Sequence, residues 1–354
     1  MREPHLFIFG LGYVGLRAGL ACERELGWRV SGTCRNREKA DTITAASGGR
    51  IATHTFDLDE EYAGLDAGGL AALADATHVL ATMAPIADFD RDPLLALHKS
   101  DVMSAEQLRW AGYLSTTSVY GDHAGAWVDE DSETRAAVGS PGHLRLAAEQ
   151  SWLDLEAETD GRVLPQVFRL AGIYGPGRSA LETVARAAAA AQAQPPDAVP
   201  PSAPSPPPPS PPPSPPPSPP LAPVNGHAVP APPLAEAPRY VSRVHVDDIC
   251  SALLASMVAQ PPPSKQRVYN LADDLPTPRG EVMDFAAELL GAPRAAAGDA
   301  NAAGGGRGRA RRRATEQKRV ANARMRSDLL PDGLAFPSYR EGLRAIHDGL
   351  GDDE

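Results

Sequence analysis

Three glycines, Gly10, Gly12 and Gly15, stand directly behind the apolar run Phe7-Ile8-Phe9, a spacing suited to holding an anion on backbone alone. Gly10 permits a tight turn, Gly12 lets the backbone approach a pyrophosphate with no Cβ in the way, and Gly15 lets the next helix pack closely on the strand. The unpaired N–H groups at that helix's start would face the phosphates. With Leu11, Tyr13 and Val14 between the glycines, the run has the form of a dinucleotide-binding fingerprint. The plainer alternative is a glycine turn without a ligand. Against it, Val14, Ala18, Cys22 and Leu26 recur at helical spacing and Trp28 to Thr33 read as a second strand, so the fingerprint sits in a β-α-β unit.

The end of the second strand selects the cofactor, because an acidic residue there would bond the ribose 2′-hydroxyl of NAD. No acid is present. Thr33-Cys34-Arg35-Asn36-Arg37 occupies the place, and a guanidinium pairs bidentately with a 2′-phosphate. The expectation is NADP, with NAD still admissible, Arg35 being the first candidate and Arg37 the second. The alternative is a pair of basic residues on a solvated loop.

Elements that could position these residues alternate along the chain. Further strands are expected at Arg50–Phe56, His78–Met83, Trp110–Ser115, Leu164–Leu170 and Arg267–Leu271, with helices between them. Ala148, Trp152 and Leu155 share one helical face. Val282, Phe285, Ala286 and Leu289 share another, behind Thr277 as N-cap and Pro278 at the first helical position. Repeated β-α units imply an α/β fold of Rossmann type, a doubly wound parallel sheet, followed by a small C-terminal substrate lobe.

Two stretches lack the pattern of a core. Residues 194–238 are dominated by proline and serine and are expected to be an extended, disordered insertion whose polyproline could engage an SH3- or WW-like partner. A second insertion, at about 295–314, is rich in Ala, Gly and Arg and reads as a solvated loop. The organisation expected is a nucleotide-binding domain over 1–193, its core continuing through 239–271, and a lobe over 272–350. The chain of 354 residues has 34 basic and 45 acidic side chains, a net charge of -11, which counts against a nucleic-acid partner. No apolar run is long enough to span a bilayer, so no membrane partner is expected. Cys22, Cys34 and Cys250 lie far apart, which suggests neither disulfides nor a metal site and fits a reducing compartment. The first strand begins near His5 and leaves no room for a leader, so the cytoplasm is expected, or an organelle if the N-terminus is incomplete.

The chain resembles the extended, atypical short-chain dehydrogenase/reductase superfamily, the NAD(P)-dependent epimerases and dehydratases. The resemblance is carried by Ser115 to Asp122, Ala148-Glu149, Phe168 to Gly177 and Val244 to Ile249, in that order. It implies a Rossmann sheet with NAD(P) across its carboxyl edge. It also implies that Asp57 holds the adenine amine, with a cap or turn role as the alternative, and that Ala84 and Pro85 line the nicotinamide side of the cofactor.

Catalysis in the family needs a polarising hydroxyl, a proton-transferring tyrosine, and a lysine four residues later. The hydroxyl position here is Thr116, the tyrosine position Pro141 and the lysine position Arg145. Pro141 cannot transfer a proton. Arg145 can hold a ribose hydroxyl but stays protonated. His143 is the nearest group able to act as an acid or base; a surface histidine at a helix start is the competing reading. Arg178 and Arg243, with the stretch from Lys318 to Arg324, could converge on an anionic substrate such as a nucleotide sugar. Asp247 reads as a helix cap.

The leading expectation is an oxidoreductase or epimerase-like enzyme acting on a small polar or nucleotide-linked substrate, with a homodimer left open. The alternative is a non-catalytic NADP-binding sensor or scaffold, which loss of the tyrosine and lysine would suit. A cysteine-dependent sugar-nucleotide dehydrogenase shares the glycine pattern. It would need an activated thiolate, which neither Cys34 nor Cys250 is placed to supply.

Overall fold

Strand β1, His5–Phe9, is buried at every position, and its side chains divide between two cores. Leu6 and Ile8 enter one apolar cluster, Phe7 and Phe9 the other, as the twofold alternation of a strand covered on both faces requires. A computed structural model of the chain describes residues 3–58, 64–86, 92–193, 239–259, 267–293 and 317–351. Both proposed insertions fall outside these residues.

Six parallel strands flank β1: β2 (Arg29–Cys34), β3 (Ile51–Asp57), β5 (His78–Ala81), β6 (Trp110–Thr116), β8 (Leu164–Leu170) and β12 (Val268–Leu271), with the short β4 (Gly64–Leu65) antiparallel at one edge. Their order is β12-β8-β6-β5-β1-β2-β3-β4. The chain winds one way from β1 through β3, then crosses back to β5 and winds the other way. The switch point between β1 and β5 is where a doubly wound sheet opens its ligand crevice.

Helices α1 (Tyr13–Leu26), α2 (Arg37–Ala46) and α8 (Val246–Val258) cover one face. On the other lie α3 (Ala67–Ala74), α4 (Pro93–Ser104), α5 (Pro141–Leu153) and α6 (Leu155–Glu158). A third apolar cluster builds the small lobe from α7 (Ala180–Ala193), α9 (Arg279–Leu289) and α11 (Tyr339–Gly351). Short strand pairs stitch the lobe to the sheet: β9 (Gly172–Tyr174) with β11 (Arg243–His245), β10 (Tyr240–Val241) with β13 (Thr277–Pro278), and β7 (Trp127–Val128) with β14 (Arg319–Val320). Helix α10 (Ala323–Asp328) follows β14.

Two expected caps are corrected. Thr277 does not cap α9; it pairs with Val241 across β10 and donates its hydroxyl to the Leu275 carbonyl, leaving Pro278 at the cap position. Asp247 does not cap α8. His245 accepts the Asp247 N–H, while the Asp247 carboxylate pairs with Arg17 at 2.9 Å.

Candidate functional site

The glycine turn leaves β1 at the switch point and is held from both neighbouring strands. Gly10 has φ of 97°, a conformation other residues adopt only under strain. Its N–H donates to the Thr33 hydroxyl at 3.0 Å, and its carbonyl accepts the Thr82 hydroxyl at 2.6 Å. The Leu11 N–H donates to the Thr33 carbonyl at 2.7 Å. A Cβ on Gly15 would stand 2.2 Å from the Gly10 carbonyl oxygen, whereas a Cβ on Gly12 would meet nothing within 4 Å. The result is a closed turn with open space before the first N–H groups of α1, where Tyr13 and Val14 begin the helix. These residues fit a dinucleotide diphosphate. Thr33 and Thr82, the two braces, were not singled out by the sequence; Thr82 lies 72 residues from the glycine it bonds.

Beyond β2, Arg35 is exposed in the turn. Asn36 caps α2 by accepting the Lys39 N–H at 3.0 Å. Arg37, by contrast, is 3.3 Å from Asp41, one turn along its own helix. Asp57 ends β3, and Ala84 and Pro85 follow β5 at the carboxyl edge. A cavity of about 650 Å³ flanks the glycine turn on its helix side, between α1, α2 and α8, with Leu11, Gly12, Tyr13, Arg17, Lys39 and Asp247 in its wall. It lies beside the crevice over the strand ends, not across it.

Thr116 ends β6 and accepts the Ser118 N–H at 3.3 Å, starting a short 3-10 turn over Thr117–Tyr120. The first turn of α5 is seated on that turn, because a Cβ on Gly142 would stand 2.5 Å from the Ser118 carbonyl oxygen. Ser140 caps α5 through the His143 N–H, Pro141 is its first residue, and the His143 ring is half-buried. One turn further, Arg145 donates to the Leu114 carbonyl at 2.6 Å. The first turns of α5, which carry His143 and Arg145, thus lie beside the carboxyl end of β6, where Thr116 stands.

No family model and no curated protein matches the chain. Among solved structures, a conserved protein of unknown function from Silicibacter pomeroyi is 30% identical, covers 98% of this chain and 99% of its own, and superposes with a TM-score of 0.66. UDP-glucuronic acid 4-epimerase from Bacillus cereus, solved with NAD, is 14% identical over 98% of this chain and 97% of its own, with a TM-score of 0.60. A dTDP-glucose 4,6-dehydratase from Bacillus anthracis, also with NAD, is 14% identical over 99% and 97%, with a TM-score of 0.58. The chain shares its fold with these NAD-bound nucleotide-sugar enzymes.

Behind this site the end of β6 rests on a buried polar network. Ser115 donates to Glu149 at 2.5 Å; Glu149 takes three bonds from Arg169, the shortest 2.8 Å; Arg169 also donates to the Tyr120 hydroxyl at 3.0 Å. The Tyr120 hydroxyl donates to Asn270 at 2.7 Å. The side chains of Arg169 and Glu149 are only 8% and 4% exposed, so neither charge is left to solvent. The motif pieces were visible in sequence, but their pairing was not.

Of the two arginines expected at the substrate, Arg243 spends one nitrogen on the Val241 and Thr277 carbonyls, at 2.8 and 2.9 Å, and burial holds its pKa below the ordinary range. Arg178 lies against Tyr13 at the glycine turn. In the stretch behind them, Lys318 bonds the Gly121 carbonyl and Arg324 pairs with Asp131 at 2.9 Å. The cysteines are unsuited to nucleophilic work: all three are buried, and burial pushes Cys22 and Cys250 up to about 12. Among the described residues no group of side chains suits a metal, and no helix is long and apolar enough to cross a membrane.

Proposed function

We propose that the chain is an NAD(P)-binding oxidoreductase or epimerase-like enzyme that prefers NADP and acts on a small polar or nucleotide-linked substrate. The observation that carries this reading is the braced glycine cradle at the switch point of the sheet, with Thr116 at the end of a strand two places away. Relatives of the same fold, solved with NAD and named for nucleotide sugars, support the cofactor class and the kind of substrate. The preference for NADP rests on Arg35, exposed where an acid would favour NAD.

The bound nicotinamide would supply hydride transfer. Around it, the Thr116 hydroxyl donates a hydrogen bond to the substrate oxygen. Arg145, pinned to the Leu114 carbonyl and permanently charged, holds a ribose hydroxyl but moves no proton. His143, on the first turn of α5 seated against the 3-10 turn that follows β6, is the residue for proton transfer.

Calorimetry with the two reduced cofactors tests the reading. NADPH should bind more tightly than NADH by about 1 to 3 kcal/mol, the scale of a hydrogen bond to a charged group. Arg35→Ala should remove most of the gap, while Arg37→Ala, whose guanidinium already has a carboxylate, should change it less. Equal affinities for the unmodified protein would refute the NADP preference.

A further inference from the structure

The arginine that follows the Gly175-Pro176-Gly177 turn comes from the segment entering the small lobe, yet it stands at the glycine cradle. Two backbone bonds close the turn, Gly175 N–H to the Arg178 carbonyl at 3.1 Å and Arg178 N–H to the Gly175 carbonyl at 3.0 Å, and so fix the Arg178 Cα. The turn is seated on Tyr13: the Tyr13 hydroxyl donates to the Pro176 carbonyl at 3.0 Å, and a Cβ on Gly175 would stand 2.6 Å from that hydroxyl. The Arg178 guanidinium then lies 5.5 Å from the centroid of the Tyr13 ring. Tyr13 is the first residue of α1, so its own N–H is one of the unpaired groups that face the open space before Gly12.

The charges around this ring are not equivalent. Arg17, 5.9 Å from the same ring, is neutralised by Asp247 at 2.9 Å. Arg178 has no carboxylate within 4 Å among the described residues; Glu182 instead accepts the N–H groups of Gly177 and Ser179. Arg178 is exposed, but its backbone is clamped and its guanidinium lies over an aromatic ring, so it has less freedom than an exposed arginine on an open loop.

We propose that Arg178 is a cofactor residue, not a substrate residue: its guanidinium bonds the diphosphate of the bound dinucleotide and closes the cradle from the lobe side. The inference rests on the dinucleotide reading above and adds to it a contact that the glycine turn alone does not provide. Since the diphosphate is common to NADPH, NADH and ADP-ribose, Arg178 contributes to all three alike and does not discriminate between the first two.

Titration of the full chain with NADPH, NADH and ADP-ribose separates the possibilities. Arg178→Ala should weaken all three by about ten- to a hundredfold, the range of a hydrogen bond to a charged group. It should leave the NADPH to NADH ratio unchanged, whereas Arg35→Ala changes that ratio. Arg178→Lys, which keeps the charge without the planar fork, should recover part of the loss. Raising the salt concentration should weaken binding to the unmodified protein more than to Arg178→Ala. If Arg178→Ala binds all three as tightly as the unmodified protein, the inference is overturned while the dinucleotide reading stands. If the unmodified protein binds none of them, both fall.

Discussion

Thr116 uses its oxygen to accept the Ser118 N–H, which leaves the hydroxyl proton for a substrate oxygen at the end of β6. Thr116→Val keeps the shape and removes that donor, and should lower turnover at least tenfold. A transition-state hydrogen bond is worth about 1.4 kcal/mol or more, which is a factor of ten in rate. His143→Phe should lower turnover as well, since no tyrosine stands at the position Pro141 occupies. A Thr116→Val protein with full turnover would remove the hydroxyl from the mechanism. At this scale the sequence was legible wherever a residue's type alone dictates its use. Gly10, Gly12 and Gly15 are defined by what they lack. Thr33 and Thr82 are not, because a threonine becomes a brace only when the sheet places β2 and β5 on either side of β1.

Elements explain why the network beneath Thr116 was hidden while the strands were plain. The boundaries expected for Leu164–Leu170 coincide with β8 and those for Trp110–Ser115 fall one residue short of β6, because mostly apolar residues mark strands buried on both faces even with Gln166 and Arg169 among them. The short pair β10 with β13 brings residues from either side of β11, α8 and β12 together, and no local pattern announces it; hence Thr277 was misread as a cap. Glu149 and Arg169 sit on α5 and β8, and their pairing pins that helix over the sheet. Glu149→Gln would leave the Arg169 cation buried without its counter-charge, which costs about 3 to 5 kcal/mol when one partner of a buried pair is removed. Urea unfolding should show that loss. Removing the cation as well, in Glu149→Gln with Arg169→Met, should recover part of it, because the desolvation cost of both charges then disappears. A Glu149→Gln protein as stable as the original would mean that the pair is not what holds α5.

At the scale of the whole molecule, buried titratable groups couple the stability of the fold to pH. Asp273, two residues beyond β12, is only 2% exposed. Burial is the largest influence on its carboxyl and raises it from an ordinary 3.8 to about 7, with Arg243 pulling the other way and Asp274 adding to the rise. A carboxyl whose pKa is higher folded than unfolded holds its proton more tightly in the folded state. The stability it confers is therefore complete below about pH 4 and is lost as the pH climbs through 7. His5, His78 and His245 act in the opposite sense: burial lowers each from 6.5 to about 4, so their contribution grows with pH across much of the same window. The raw pH profile of stability therefore mixes the two, and the diagnostic quantity is the difference between a variant and the unmodified chain. Asp273→Asn retains the shape and cannot ionise. Relative to the unmodified protein it should gain stability steadily from pH 4 to pH 7 and then level off, whatever constant offset the lost charge opposite Arg243 introduces. Urea denaturation at half-unit steps across that range measures this directly, and a difference that stays flat would show that the Asp273 carboxyl titrates near its ordinary value.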